Sequence, residues 1–363
     1  MRQEEARGPA DGCWSVERAT AWWESQPWRV GCNFIPSTAV NQLEMWQAES
    51  FDPETLEREL GWAADLGLNL VRVYLHDLAW EQDAQGFRER IDRFLEMAWR
   101  RRIATMLVLF DDVWSPHPRP GPQPEPHPGR HNSRWLESPG LPVLERYAED
   151  EGERRRLERY VSGVIGAFGG DPRVWVWDLY NEPGGYPAPF AEPVGAHCLP
   201  LLRDVFAWAR TAAPDQPLTS GLFWTPLHPA DPEIQETQLS GSDVVSFHHY
   251  GPPDDLLRLI GELRERTPRP LLCTEYLARQ LKSRFETHLP IFREQRIGAV
   301  HWGLVAGRTQ TIYPWWSWRD ETPQPEPEVW FHDVLRPDGT PFDPEETRLL
   351  RAMRRQERGA EHG

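Results

Sequence analysis

Eight short apolar runs, each followed by a segment with helical hydrophobic spacing, recur along this chain from about residue 28 onward. The runs are RVGCNFI (29–35), LNLVRVYL (68–75), IATMLVLF (103–110), RVWVWDLY (173–180), PLTSGLF (217–223), DVVSFHHY (243–250), RPLLCTEY (269–276) and IGAVHWGLV (297–305). Helical segments are predicted between them at 52–67, 87–101, 142–168, 194–212, 232–239, 254–267 and 282–296, and at the tail over 344–358. Asp52 caps the first, with Pro53 in its opening turn, and Pro290 interrupts the seventh. Strands this continuously apolar belong in a parallel sheet covered by helices. Eight such units without an internal linker predict closure into a single (β/α)8 TIM barrel, although 363 residues would by length alone suggest two domains. The barrel is expected over residues 28–363, including the last helix, with residues 1–27 as an extension packed against it.

Two connections stand out. The stretch DDVWSPHPRPGPQPEPHPGRHNSRW (111–135) is too rich in proline for a helix and too polar for a core. A second long loop follows strand eight. In a barrel of this kind the site lies at the C-terminal ends of the strands, so loops there stand beside it.

The formal charge of −16 argues against binding to phosphate backbones or to an anionic membrane surface, since no basic cluster stands ready to neutralise them. No nucleic-acid or membrane partner is therefore expected. The N-terminus lacks the apolar core of a secretory signal and no later run approaches a spanning length, which predicts a cytoplasmic protein. Cys13, Cys32, Cys198 and Cys273 lack CxxC spacing and are expected to be reduced, buried thiols. The 19 tryptophans are unusual. Indole faces fill cores, and they also stack on the C–H faces of sugar rings.

Read in order, the strand ends carry Asn33, then Arg72 and Tyr74, Asp111 and Asp112, Asn181 and Glu182. Ser220 follows, then His248, His249 and Tyr250, Glu275 and Tyr276, His301 and Trp302. Glu182 and Glu275 end strands four and seven, across the barrel mouth from each other. Two carboxyls facing across a cleft suit glycoside hydrolysis, one protonating the leaving oxygen and the other attacking the anomeric carbon. A gap of roughly 5–5.5 Å means retention and one of ~6.5–9.5 Å means inversion. The chemistry needs their pKa values pushed apart. Arg72 and Tyr250 are placed to hold Glu275 anionic, which leaves Glu182 as the higher of the two.

With these residues assembled, the chain resembles the clan A glycoside hydrolases, most nearly family 5, over about residues 28–335. The resemblance assigns the acid/base to Glu182 in NEP and the nucleophile to Glu275 in CTEY. It matches the clan's strand-two arginine to Arg72 in VRVY, its strand-six His-x-Tyr to His248 and Tyr250 in FHHY, and its strand-eight tryptophan to Trp302 in HWGL. It implies that Asn181 binds the sugar 2-hydroxyl. Many family 5 members carry a histidine pair after strand three where this chain has Asp111-Asp112, so either aspartate is expected to read the glycone.

Weaker candidates are Glu44, Trp46 and Glu49 after strand one, His76 and Asp77 after strand two, and Trp315, Trp316 and Trp318 in the loop after strand eight. His117, His127 and His131 are too irregularly spaced for a metal site. No nucleotide loop, GxSxG elbow or HExxH occurs. The expectation is a cofactor-free, metal-free retaining β-glycosidase acting on small glycosides or oligosaccharides, with exo action favoured by the two long loops. An endo-acting glucanase, mannanase or xylanase, a transglycosylase, and a non-catalytic carbohydrate-binding barrel are the alternatives.

Overall fold

The computed structural model describes residues 12–185, 195–222, 231–319 and 322–360, with side chains through residue 353. Its strands are β1 (Val30–Asn33), β2 (Leu70–Tyr74), β3 (Ala104–Asp111), β4 (Val174–Asn181), β5 (Leu218–Gly221), β6 (Val245–His248), β7 (Leu271–Glu275) and β8 (Gly298–Trp302). They form one parallel sheet in the order β5-β4-β3-β2-β1-β8-β7-β6. Leu222 brings the two edges together by donating to Ser246 O and accepting from His248 N, each at 3.0 Å. The result is the expected (β/α)8 barrel.

Every residue of the eight strands is buried, because one face meets the helices and the other fills the barrel. On β2, Val71 and Val73 join the large core under the helices, whereas Leu70, Arg72 and Tyr74 point inward. The lowest inner layer is Leu70, Ala104, Met106, Trp175, Val176, Val244, Leu272 and Val300. Helix Val16–Glu24 closes it from below, with Trp22 stacked on Trp175 at 5.5 Å between ring centroids and Trp23 beside them at 5.7 Å. The buried Asp243 carboxylate ties the preceding residues down, accepting from Trp14 N, Leu218 N and Arg210. Polar groups occupy the middle layer, and aromatic rings the top.

The expected elements are present with three local differences. The segment predicted as one helix over 142–168 is two, Leu141–Leu144 and Glu151–Phe168, with Asp150 capping the second through Gly152 N and Glu153 N. Pro290 lies inside the helix Phe285–Glu294 without ending it. The predicted helix at 194–212 begins as a 3-10 turn at Gly195–Cys198 before Leu199–Ala212. No helix among the described residues is long and apolar enough to cross a membrane. The four cysteines are free, three of them fully buried and Cys13 half-buried.

β4 and β7 each carry one extra residue near their C-terminal ends. Asp178 pairs with Thr219 and Asn181 with Gly221, so three steps on β4 face two on β5. Cys273 pairs with Phe247 and Glu275 with His248, so two steps on β7 face one on β6. Such bulges re-aim the side chains that follow. Strict alternation from the inward Asp178 and Leu272 would turn Asn181 and Glu275 out towards the helices. Both instead face the barrel axis, where they meet Arg72.

Candidate active site

Arg72 is fully buried at the middle of the barrel, and its guanidinium organises the site. Nε and Nη2 donate to Asp178 Oδ2 at 2.9 and 2.8 Å, and Nη2 also donates to Asn181 Oδ1 at 2.6 Å. Nη1 donates to Asn33 Oδ1 at 2.7 Å and to Glu275 Oε1 at 2.8 Å. Asn33 in turn donates to Thr274 O and His301 O, which holds its amide in place. A buried cation is sustained only with full pairing, and two carboxylates provide it here. Asp178 has no place in the strand-end reading because it lies one turn of pleat below the mouth. Its signal was present as a lone charge inside an apolar strand.

Glu275 receives donors on both oxygens. Oε1 accepts from Arg72 and from Tyr74 Oη at 2.8 Å, and Oε2 accepts from Tyr250 Oη at 2.6 Å. Burial pushes its carboxyl up, but His248, Arg72 and the two tyrosine hydroxyls outweigh this and leave it below the usual range. Burial pushes the imidazole of His248 down to about 4, so near neutral pH the cation facing Glu275 is Arg72.

Glu182 has the opposite environment. Burial and then the charge of Glu275 push its carboxyl well above the usual range. Its Oε1 lies within hydrogen-bonding distance of Nδ1 of His248. Its backbone has φ +44°, a left-handed conformation that costs a glutamate energy and that the following Pro183-Gly184 turn sustains. One oxygen of Glu182, one of Glu275 and a ring nitrogen of His248 all lie within 4.8 Å of one another. Among the described residues this is also the one cluster with donor spacing suited to a metal ion. Arg72 already supplies the positive charge that Glu275 faces.

Aromatic rings surround the carboxyls. Trp302, 9% exposed, packs edge-on to Tyr74 and Trp135, and the same cluster includes half-buried Trp114 and Tyr250. Trp315 meets Tyr250 edge-on at 5.0 Å. The loops after β3 and β8 are bound together: Asn132 N donates to Thr309 O, Gly129 N to Gln310 Oε1, His131 N to Ser317 Oγ, and Trp318 Nε1 to His131 O. Trp114 and Trp135 lie in the Pro/His-rich loop. Nothing in their spacing marks them, because only the folded loop brings them to the cluster around Tyr74 and Trp302.

Arg72, Asn181, Glu182, His248, Tyr250, Glu275 and Trp302 thus come together. The two aspartates after β3 have different surroundings. Asp112 accepts from Tyr180 Oη at 2.6 Å and Gly184 N at 2.8 Å, and burial pushes its carboxyl up to about 7. Tyr180 faces the helices, so Asp112 braces β3 against the turn after Glu182 and does not line the mouth. Asp111 accepts from Asn181 Nδ2 at 2.8 Å, Trp135 Nε1 at 2.7 Å and Gln42 Nε2 at 3.4 Å. Neither pairs with an arginine among the described residues.

Several weaker candidates belong to packing. Trp46 is core, donating to Tyr74 O and packed on Phe51, Phe87 and Phe94. Glu44 pairs with Arg308 and accepts from Val40 N, while Glu49 is exposed. His76 caps a helix through Leu78 N, and Asp77 pairs with Arg156. Trp316 packs on Phe331. Ser220, His249, Tyr276 and His301 face the helices rather than the mouth, with Ser220 donating to Tyr180 O and His249 stacked on His288.

No family model matches the chain, and no curated protein sequence does. Solved structures do. An endo-1,4-β-D-mannanase from Thermotoga petrophila superposes with a TM-score of 0.55 at 16% identity, over 91% of this chain and 99% of that one. The exo-β-1,4-mannosidase Op5Man5 from Opitutaceae bacterium strain TAV5 gives 0.60 at 17% identity, over 97% of this chain and 63% of that longer one. The β-glycosidase BGL167 gives 0.56 at 14% identity, over 91% and 96%. What is shared is the fold. At such identities the likeness extends no further, and the chemistry rests on the residues of this chain.

Proposed function

We propose that this protein is a retaining β-glycosidase. The observation that carries the proposal is the pair of facing carboxyls, one oxygen of each within 4.8 Å of the other, whose surroundings drive them to opposite protonation states. The ionised oxygen of Glu275 attacks the anomeric carbon as the glycosidic C–O bond breaks, and the proton of Glu182 passes to the departing oxygen. Once Glu275 is esterified its charge is gone, which removes the second-largest influence holding Glu182 protonated. Glu182 is then free to take a proton from water, whose oxygen attacks the anomeric carbon and releases Glu275. Arg72, Tyr74 and Tyr250 fix the nucleophile, Asn181 holds the 2-hydroxyl, and Trp302 stacks under the ring.

A non-catalytic sugar-binding barrel has no use for two carboxyls poised this way. The bound loops after β3 and β8, with Trp114, Trp135 and Trp315 over the site, favour a cleft closed at one end and hence exo action on small β-glycosides or oligosaccharides. Fold neighbours include an exo-mannosidase and a β-glycosidase as well as endo-mannanases, so both modes are built on this frame. A panel of aryl β-glycosides and short β-linked oligosaccharides, with proton NMR of the first-formed product, tests the reading. The expected result is release of single glycosyl units with retained β configuration. An α product would reject the mechanism.

A further inference from the structure

We infer that Asp111 is a positioning residue for sugar recognition: it does not touch the glycone but fixes the amide of Asn181 so that one N–H faces the 2-hydroxyl. The inference rests on the glycosidase reading above.

An asparagine amide can sit either way round, and its partners decide which. Here Arg72 Nη2, which can only donate, faces Oδ1 at 2.6 Å, and Asp111 Oδ1 faces Nδ2 at 2.8 Å. Burial pushes the Asp111 carboxyl well above the usual range, and Oδ1 accepts whenever it does not itself carry the proton. A flipped amide would set donor against donor and acceptor against acceptor in a buried place. Of the two N–H bonds on Nδ2, Asp111 takes one. The second has no protein partner among the described residues, and Asn181 ends β4 immediately before Glu182.

Asp111 is itself held. It is 1% exposed, and Trp135 Nε1 and Gln42 Nε2 donate to Oδ2. Gln42 is fixed reciprocally, donating to Leu136 O and accepting from Leu136 N. Three N–H donors converge on this carboxylate, which leaves it little capacity for vicinal hydroxyls. The same contact joins the loop carrying Trp135 to the residue beside the acid, while the bonds from that loop to Gln42, Thr309, Gln310 and Ser317 hold it independently of Asp111.

The test compares two activated aryl β-glycosides of the glycone found best in the substrate panel, one intact and one lacking the 2-hydroxyl. Wild type, Asp111→Ala, Asp111→Asn, Asn181→Ala and the Asp111→Ala/Asn181→Ala double variant are assayed on both. Asp111→Ala is expected to lower kcat/KM by about 10- to 100-fold on the intact glycoside and by less than about threefold on the 2-deoxy one. The double variant should be no worse than Asn181→Ala alone, as two residues acting through one contact require. Asp111→Asn should fall between, because its single carbonyl oxygen can serve Asn181 or the Trp135–Gln42 side but not both. Circular dichroism and thermal unfolding of each variant, measured beside wild type, show that it is folded. Equal losses on both substrates or additive losses in the double variant would overturn the inference while leaving the glycosidase intact. Failure of wild type to turn over any glycoside in the panel would overturn the glycosidase reading and this inference with it.

Discussion

At the residue scale the site is a problem of charge placement solved by one guanidinium. Arg72 faces Asp178 below and Glu275 above, so neither its own charge nor that of Glu275 is left unpaired in the barrel. A lysine, with a single ammonium, could not span Asp178, Asn181, Asn33 and Glu275 together. Glu275→Gln should keep the fold, since Arg72 retains Asp178, and lower kcat by on the order of 10³-fold or more on every substrate. Thermal unfolding and turnover measured side by side check this. The pH profile follows from the two directions of shift. In the proposed mechanism activity needs Glu275 ionised, so it falls as pH drops through a value below the usual carboxylate range. It also needs Glu182 protonated, so it falls as pH rises through a value well above that range. In Glu182→Gln, assayed with a leaving group that needs no proton, the alkaline limb of the glycosylation step should vanish and the acid limb remain.

At the scale of elements, the loops after β3 and β8 act as one piece. Gln310 is the clearest link, with Oε1 accepting from Gly129 N and Nε2 donating to His127 O, both at 2.8 Å. Trp318 adds a bond to His131 O and an edge contact with His127. Replacing both (Gln310→Ala with Trp318→Phe) leaves backbone groups to find water and should cost roughly 1–3 kcal/mol of local order. The expected outcome is a cleft that admits longer chains. Products from a β-linked oligosaccharide should shift towards internal cleavage, while kcat/KM on an aryl monoglycoside should change by less than about threefold. Product chromatography over time distinguishes the two. An unchanged product pattern would remove the loops from the account of exo action.

At the scale of the whole molecule the two ends of the barrel have separate tasks. The mouth holds the facing carboxyls Glu182 and Glu275, and the bottom is sealed by tryptophans from the helix Val16–Glu24 and from β4. Trp22 is half-buried, so Trp22→Ala should cost less than the ~3–5 kcal/mol typical of a fully buried tryptophan, roughly 2 kcal/mol. The melting temperature should fall by several degrees while kcat/KM stays within about twofold. A matched loss of activity in the fully folded variant would mean that bottom and mouth are coupled.

Much of this protein was legible in the order of its residues. Eight apolar runs alternating with amphipathic segments specify a closed parallel barrel, because hydrophobic period is a local property and each unit can bury its surface in only one arrangement. The strand-end rule then located Arg72, Asn181, Glu182, His248, Tyr250, Glu275 and Trp302 at one end of it. Facing was not legible. Counted by twos, Asn181 and Glu275 point away from the axis, and it is the extra residues in β4 and β7 that turn them inward. A bulge is set by the register of the neighbouring strand, which no count along one strand contains. Asp111 and Asp112 were adjacent carboxylates with one expected role. Tertiary contacts separated them, giving one to the amide of Asn181 and the other to Tyr180, since successive side chains at a strand end face different neighbours. Trp46 became core and Trp135 became wall for the same reason. Burial of an indole depends on what the rest of the chain brings against it.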